Sequence, residues 1–386
     1  MMLVLMPVQK TLAGGEQVDA GGRHSPFAIE ATYFPVIGRA NAPSARLEQL
    51  QGGEHESNRN GRPLHMISVS PSLRVGDAAA IRAAFAGRAI RGEAWTTELE
   101  EGYARLGREA DGPVLKLGRF YTEFGRINPQ HFEDADFVDK PVVHKRVLGP
   151  DVLAGWGISA AVPFGERAAG RVLVNVQSPG GGDATSFLSG EGESLGGRTL
   201  IRRRARGLRE WLHLVRWEPP AFRGERGEVR AGVSVLRGPN ASGRTTGTQV
   251  LGADFLLRTR GRENTDGAPA FSWHAEWLAR RYEGGDPGDP TREILRDAGW
   301  SSQCLYAPGP HLRVGLRLDR AAGSGGDFGD PERDARRRSA VLFMWQPRED
   351  LSLRVQLNRV STPQVEFGRA RILVFQLRWH FETDNH

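Results

Sequence analysis

Hydrophobic and polar residues alternate with a period of two along most of this chain, most clearly near the C-terminus. Between Arg371 and Phe381, one parity is apolar from Leu373 to Phe381, and the other is polar from Gln376 onward. This period is typical of a strand with two different faces. Similar dyads recur through the chain, and no helical layer is predicted to cover them. The pattern favours an all-β fold, a closed transmembrane antiparallel β-barrel with lipid outside and water inside, over a soluble all-β fold.

Alternation bounded by turn residues predicts 16 strands. They span residues 27–35, 66–75, 79–90, 95–106, 113–124, 155–164, 170–177, 208–217, 228–236, 249–260, 271–282, 298–306, 311–320, 339–346, 351–360 and 370–381. The connections after strands 1, 5, 7, 11 and 13 are long, and those after strands 2, 4, 6, 12 and 14 are short. Such sorting is typical of outer-membrane barrels, which have long outer loops and short periplasmic turns.

The domain organisation follows from the same pattern. We expect a single barrel domain over residues 27–381, because no repeat of solenoid period and no linker interrupts it. Residues 1–26 are expected to be a leader or a disordered N-terminus, and residues 1–15 to be either the remnant of an export signal or disordered. Residues 382–386 form a short C-terminal tail.

Composition narrows the function classes. The net charge of +6 is modest for 386 residues and spread along the chain, which argues against a dedicated nucleic-acid binder. Cys304 is the single cysteine, so an internal disulfide is excluded. No apolar run approaches the 18 or so residues of a transmembrane helix. The glycines at 180–182 are not followed by a lysine, so a phosphate-binding loop is disfavoured and no cofactor is expected.

If the apolar parity faces lipid, the other parity lines a lumen. An arginine or lysine facing lipid near the midplane costs roughly 2–4 kcal/mol. This cost decides which alternate residues of a strand face the lumen, except in strands 95–106 and 208–217, where alternation is unclear. The predicted pore-lining basic residues are Arg74, Arg82, Arg88, Lys116, Arg230, Arg258, Arg280, Arg313, Arg317, Arg354 and Arg378. Such a wall favours anions. Alternatively, these residues pair with lumen and loop acids and leave a weakly selective pore.

Three stretches resemble sequences of Gram-negative outer-membrane porins. Residues 115–127, Leu-Lys-Leu-Gly-Arg-Phe-Tyr-Thr-Glu-Phe-Gly-Arg-Ile, resemble the strand before the constriction loop in the phosphate-selective porin type. Residues 128–144 resemble the long loop and return segment of uncharacterised porin-like proteins, and Trp379-His-Phe381 resembles the C-terminal aromatic assembly signal. The resemblance implies the outer membrane of a Gram-negative bacterium, surrounding lipid and lipopolysaccharide, and a homotrimer.

By analogy with general 16-stranded porins, the connection at 125–153 is expected to fold inward and narrow the channel. Opposite charges facing each other there would create a transverse field that sorts solutes. The predicted constriction-loop residues are Arg126, His131, Glu133, Asp134, Asp136, Asp139, Lys140 and His144. The alternative is a solvated outer loop. A metal site around His131 is disfavoured, because short polar clusters are common in loops.

The sequence therefore predicts a porin that passes small hydrophilic solutes, anionic or polar, with a mild preference for anions. It is predicted not to be an enzyme and to need no metal. Two alternatives stay open. One is a plugged barrel that serves as a structural or interaction component of an envelope complex. The other is a barrel-embedded hydrolase, which needs a nucleophile beside a base; the strand histidines His213, His274 and His380 are more typical of pore-lining groups.

Overall fold

The computed structural model describes residues 25–43, 61–90, 93–108, 112–165, 170–179, 184–188, 194–195, 198–259, 269–286, 289–325, 333–362 and 369–383. The predicted leader at 1–26 and the tail at 382–386 lie mostly outside these residues. The strands are β1 (Phe27–Tyr33), β2 (Val36–Ala40), β3 (Leu64–Val75), β4 (Ala79–Ile90), β5 (Thr96–Leu106), β6 (Val114–Tyr121), β7 (Ala154–Phe164), β8 (Gly170–Gln177), β9 (Ser194–Leu195), β10 (Arg198–Thr199), β11 (Leu212–Glu218), β12 (Phe222–Gly224), β13 (Gly227–Pro239), β14 (Gly247–Thr259), β15 (Phe271–Asp286), β16 (Asp289–Gly309), β17 (Leu312–Ser324), β18 (Arg336–Arg348), β19 (Leu351–Ser361) and β20 (Arg369–Glu382). One α-helix in the described residues, α1, spans Val142–Leu148.

The strands form one closed antiparallel barrel. Each barrel strand pairs with its neighbours in the chain, and β20 pairs with β1 and β2, which in turn pair with β3. The sheet contains 18 segments. Because β1 and β2 form one interrupted strand, and β11 and β12 another, the barrel has 16 strands, as predicted. Closure leaves no unpaired edge that would expose backbone polar groups.

Two connections differ from the prediction. The first strand does not end at Pro35, because β2 continues in the same register to Ala40. The predicted loop at 283–292 is instead the tip of a long hairpin, in which Glu283 pairs with Ile294 and Gly284 with Glu293. Its glycines, aspartates and prolines resemble turn residues, but cross-strand hydrogen bonding carries β15 and β16 through most of this stretch.

The two faces of the barrel strands have opposite character. In β20, Phe375 and Leu377 are exposed on the outer surface, whereas Val374 is 3% exposed and Gln376 lies beside it on the inner side. Exposed aromatic residues, including Trp345, Trp379 and Phe381, lie where β18 and β20 approach the short turns. The apolar rows at 351–357 and 373–381 therefore ring the exterior, as the alternation predicts.

The inner face is not uniformly polar. Helix α1 packs against β15, β16, β17 and β18, and its Val143 and Val147 lie in an apolar cluster with inward-facing Leu236 and Leu278. Gly299 allows this approach, because a Cβ there would lie 2.8 Å from Val143 Cγ2. Among the described residues, no helix is long and apolar enough to cross a membrane.

Candidate functional site

Residues 125–153, here called the inner segment, leave the wall after β6 and return at β7. Asn128 closes its neck: the side-chain amide donates to the carbonyls of Thr122 (2.7 Å) and Leu153 (3.1 Å), and its oxygen accepts from Leu153 N–H (3.0 Å). Gly125 turns the chain with φ of 63°. A Cβ there would lie 2.5 Å from Glu276 Oε2, so glycine also permits a close approach to the wall.

Glu276 of β15 holds the beginning of the inner segment. Its Oε1 accepts from the backbone N–H groups of Arg126 (2.6 Å) and Ile127 (2.9 Å) and lies 3.0 Å from His274 Nε2. Its Oε2 lies 2.7 Å from His144 Nε2 in α1. Both oxygens of this buried carboxylate are occupied, so Glu276 joins the beginning of the inner segment and α1 to β15.

Asp139 fastens the middle of the inner segment to β17, β18 and β19. Its Oδ1 lies 2.5 Å from Arg317 Nη2 and its Oδ2 lies 2.5 Å from Arg338 Nη1. Gln356 and Asn358 also donate to it, at 2.8 and 3.1 Å. Burial alone would raise the pKa of Asp139, but the two guanidinium groups outweigh burial and hold the pKa below its ordinary value.

His131 docks on the opposite wall. Its Nδ1 lies 3.3 Å from Glu100 Oε2 and its Nε2 lies 3.0 Å from Glu101 Oε2. The register between β4 and β5 shifts at this point, so Glu100 is an additional residue that brings two consecutive glutamates to one side. This bulge explains why β5 shows no clean alternation. In the part of the chain that the structure describes, no group of three or more metal-ligating side chains is suited to hold a metal ion.

The cluster around His131 predicts a dependence of stability on pH. Burial alone would lower the pKa of His131, but hydrogen bonds to Glu100 and Glu101 raise it well above its ordinary value. The contribution is complete below about pH 6.5 and is lost as the pH rises through the raised pKa of the folded state. We therefore expect the free energy of unfolding, measured by urea titration in lipid vesicles, to fall more between about pH 7 and about pH 10 for the native chain than for His131→Gln.

His311→Gln is the matched control, because His311 is exposed at a turn and contacts the carbonyl of Gln346. Its pH profile should follow that of the native chain. If His131→Gln and the native chain lose stability in parallel over this pH range, the ion pairs of His131 do not contribute as proposed.

Apolar contacts complete the docking. Phe132 and Val138 lie in a cluster with inward-facing residues of β2, β3, β19 and β20. Phe137 packs with Leu305 and Leu342. These contacts, with those of α1, place the inner segment against much of the inner wall rather than in solvent. The alternative of a solvated outer loop is therefore not what the structure shows.

All 11 predicted pore-lining residues lie on the inward parity, but burial and pairing differ among them. At least seven are ion-paired with carboxylates: Arg82 with Glu30, Lys116 with Glu123, Arg230 and Arg258 with Glu228, Arg280 with Asp297, Arg317 with Asp139 and Asp319, and Arg378 with Asp134. Arg280 and Arg317 are almost fully covered by the inner segment. Arg88 contacts Thr96, Arg354 contacts the carbonyl of Ala135, Arg74 is exposed near a turn, and Arg313 is half-buried. Such pairing supports the alternative of weak selectivity.

The predicted constriction-loop residues also divide into two groups. Asp139, His144 and His131 are buried and bind residues of the barrel wall, and buried Lys140 lies over the ring of Phe132 in the same segment. Arg126 pairs with Asp254 (2.7 Å) and Glu218 (3.4 Å), and Glu133 lies beside His131. Asp134 is exposed and lies 3.5 Å from Arg378, and Asp136 is partly exposed. These two carboxylates are the members best placed to meet a solute.

Sequence reasoning missed several residues that organise the interior. Arg216 of β11 is 1% exposed and bonds Asp254 (2.6 Å) and Glu218 (2.7 Å). The strand could not be assigned from sequence because its inward residues include Leu212 and Leu214, which leaves both parities apolar. Arg338 lies in a run of three arginines that conceals the alternation. His213 lies on the outward parity, unlike the pore-lining group that its strand position suggested.

Comparisons show what the barrel resembles. No protein-family model and no curated protein matches the chain. Among solved structures, it is similar to an anion-selective porin from Comamonas acidovorans (8% identity, TM-score 0.55, 92% of this chain and 98% of that chain). It is also similar to the outer membrane channel DcaP of Acinetobacter baumannii (10%, 0.56, 92% and 97%) and to OprB of Pseudomonas putida (12%, 0.59, 92% and 94%). At these identities, the similarity shows a shared fold, and the resemblance of residues 115–127 to the phosphate-selective porin type is not confirmed.

Proposed function

We propose that this chain is a porin, a passive channel for small hydrophilic solutes in the outer membrane of a Gram-negative bacterium. The observation that carries the proposal is a closed barrel whose exterior is apolar and aromatic while an anchored segment crosses part of its interior. Such a barrel matches a hydrocarbon environment outside and water inside. We further propose that lipid and lipopolysaccharide surround it and that it forms a homotrimer, because its solved relatives in fold include OmpT, an outer membrane protein of Vibrio cholerae recorded in a trimer form.

Planar-bilayer recording tests the channel. The full chain, folded in detergent and added to one side, is expected to produce stepwise, lasting conductance increases. Detergent alone is the control. Insertion shown independently by protease protection in vesicles, together with an absence of steady current, would contradict the proposal.

A second candidate is a plugged barrel that serves as an interaction component of an envelope complex. The extensive burial of the inner segment, with its ion pairs and apolar contacts on many strands, favours it. The same recording separates the two candidates, because a plugged barrel inserts without conducting. A barrel-embedded hydrolase remains an alternative from the sequence.

A mild preference for anions is part of the proposal. Near the turn between β12 and β13, Glu228 is the shared carboxylate of Arg223, Arg230 and Arg258, at 3.6, 3.1 and 4.0 Å. Three guanidinium groups around one carboxylate leave a positive local charge, which raises the local concentration of anions. One solved relative in fold is described as anion-selective, which agrees with this proposal.

Neutralising this group should reduce the preference. For Arg230→Gln/Arg258→Gln, we expect the anion-to-cation permeability ratio, measured from the reversal potential in a salt gradient, to fall roughly twofold. Arg359→Gln/Arg371→Gln removes the same charge from the exterior and should leave the ratio unchanged. Equal ratios in all three proteins would remove the support for anion selection at this position.

A further inference from the structure

The outer surface carries opposed arginines. Three directly opposite cross-strand pairs are Arg281–Arg296, Arg320–Arg337 and Arg359–Arg371. All six side chains are exposed on the outward parity. Like charges directly opposite each other on one face destabilise a sheet. Such a pair suits an anionic ligand where a binding surface lies beside it, and the three pairs differ in this respect.

One of these pairs borders a groove of about 620 Å³ on the outside of β14 to β17. Its floor is a row of small side chains, since Ala279 is opposite Ala298, which is opposite Ala322. One side is a wall of two indoles, because Trp277 and Trp300 are also directly opposite each other. Small alanine side chains beside large tryptophan side chains form an apolar groove of the kind that suits an acyl chain.

Arginines border this floor on both sides. Arg281 and Arg296 lie on the side opposite the tryptophans, and Arg320 lies beside Trp300. Arg281 also contacts Glu283, at 2.8 Å. Within the described part of the chain, no carboxylate lies within ion-pairing distance of Arg296 or Arg320. The groove thus joins an apolar floor to incompletely neutralised guanidinium groups.

We infer that the groove binds a phosphate-bearing lipid. Its acyl chain would lie on the alanine floor, and its phosphate would lie between Arg281 and Arg296. This inference rests on the proposed location in an outer membrane. Guanidinium groups bind phosphate oxygens in a bidentate manner, and tryptophan favours the membrane interface. Free phosphate would not use the apolar floor.

Native mass spectrometry of the full chain in detergent tests this site. Phosphatidic acid is expected to bind, whereas diacylglycerol with the same acyl chains is not. Arg281→Gln/Arg296→Gln should weaken the apparent Kd for phosphatidic acid about tenfold, and Ala298→Leu, which fills the floor, should also weaken it. Arg359→Gln/Arg371→Gln is the charge-matched control outside the groove and should bind like the native chain.

Several outcomes would overturn the inference. These are equal binding of the two lipids, equal losses in the groove variant and the control, and displacement of phosphatidic acid by the same concentration of inorganic phosphate. A lower oligomer fraction for Arg281→Gln/Arg296→Gln in lipid-free detergent would instead assign the groove to a subunit interface. Conductance of the same preparations separates this question from the proposed function. If the chain conducts but does not bind phosphatidic acid, the lipid site is contradicted and the proposed channel is not. If the chain binds phosphatidic acid but does not conduct, the proposed channel is contradicted and the lipid site is not.

Discussion

Replacing Asp139 with alanine is expected to increase single-channel conductance several-fold and to lower the free energy of unfolding by about 3–5 kcal/mol. The substitution leaves Arg317 and Arg338, each about 1% exposed, without the carboxylate that joins them. Buried guanidinium groups without a partner are costly. Asp319 still contacts both, so the wall retains part of its charge balance while the inner segment loses its central anchor. Conductance and urea unfolding in vesicles measure the two effects.

The matched control is Asp134→Ala, which removes an exposed carboxylate from the same segment. It should change stability little, because exposed ion pairs contribute about 0–1 kcal/mol. Asp139→Asn keeps the shape of the side chain and one oxygen that accepts hydrogen bonds. This variant should therefore fold even if Asp139→Ala does not, and its conductance increase should be smaller than that of Asp139→Ala. If Asp139→Asn and Asp134→Ala both conduct like the native chain, Asp139 does not hold the segment in the conducting path.

Much of the exterior of the barrel could be predicted from sequence because its outward residues are similar over most of a strand. In β19 and β20, Leu353, Phe375 and Leu377 are exposed apolar residues that form a simple period of two, which outward arginines interrupt only towards one end. Turn residues then fixed strand number and most strand ends. The exceptions, Pro35 and the residues near Gly284, are positions where a turn-forming residue is tolerated within a paired strand.

The interior could not be predicted in the same way, because its environment differs from place to place. Leu236 and Leu278 face inward and are apolar because they lie in one buried cluster with Val143 and Val147 of α1, while Asp254 is polar because Arg126 and Arg216 bind it. These partners are distant in sequence. Helix α1 spans only seven residues, too few for its pattern to stand out from a loop. The residues of the inner segment were identified, but not their division into anchors and solvent-facing groups.

Glu276→Ala should detach the beginning of the inner segment. The change removes the acceptor of two backbone N–H groups and the partner of His144 and His274, and three of these four contacts are buried. Because an unsatisfied buried group costs about 1–3 kcal/mol, we expect a loss of about 4 kcal/mol in the free energy of unfolding. Limited trypsin digestion of the vesicle-embedded chain should show new cleavage at Arg126 or Lys145. Glu283→Ala, on the outward face of the same strand, should remain as resistant as the native chain.

Combining Glu276→Ala with Asp139→Ala tests whether the inner segment moves as one body. Asn128 ties its neck, and α1 joins its middle to its end through apolar contacts, so release of either anchor should displace the whole segment. In that case, the double variant conducts little more than either single variant, because residues that act as a unit are not additive. The opposite result would be that the conductance increases of the two single variants add in the double variant, and that Glu276→Ala keeps the native trypsin pattern. It would show that the two parts of the inner segment are held independently and do not move as one body.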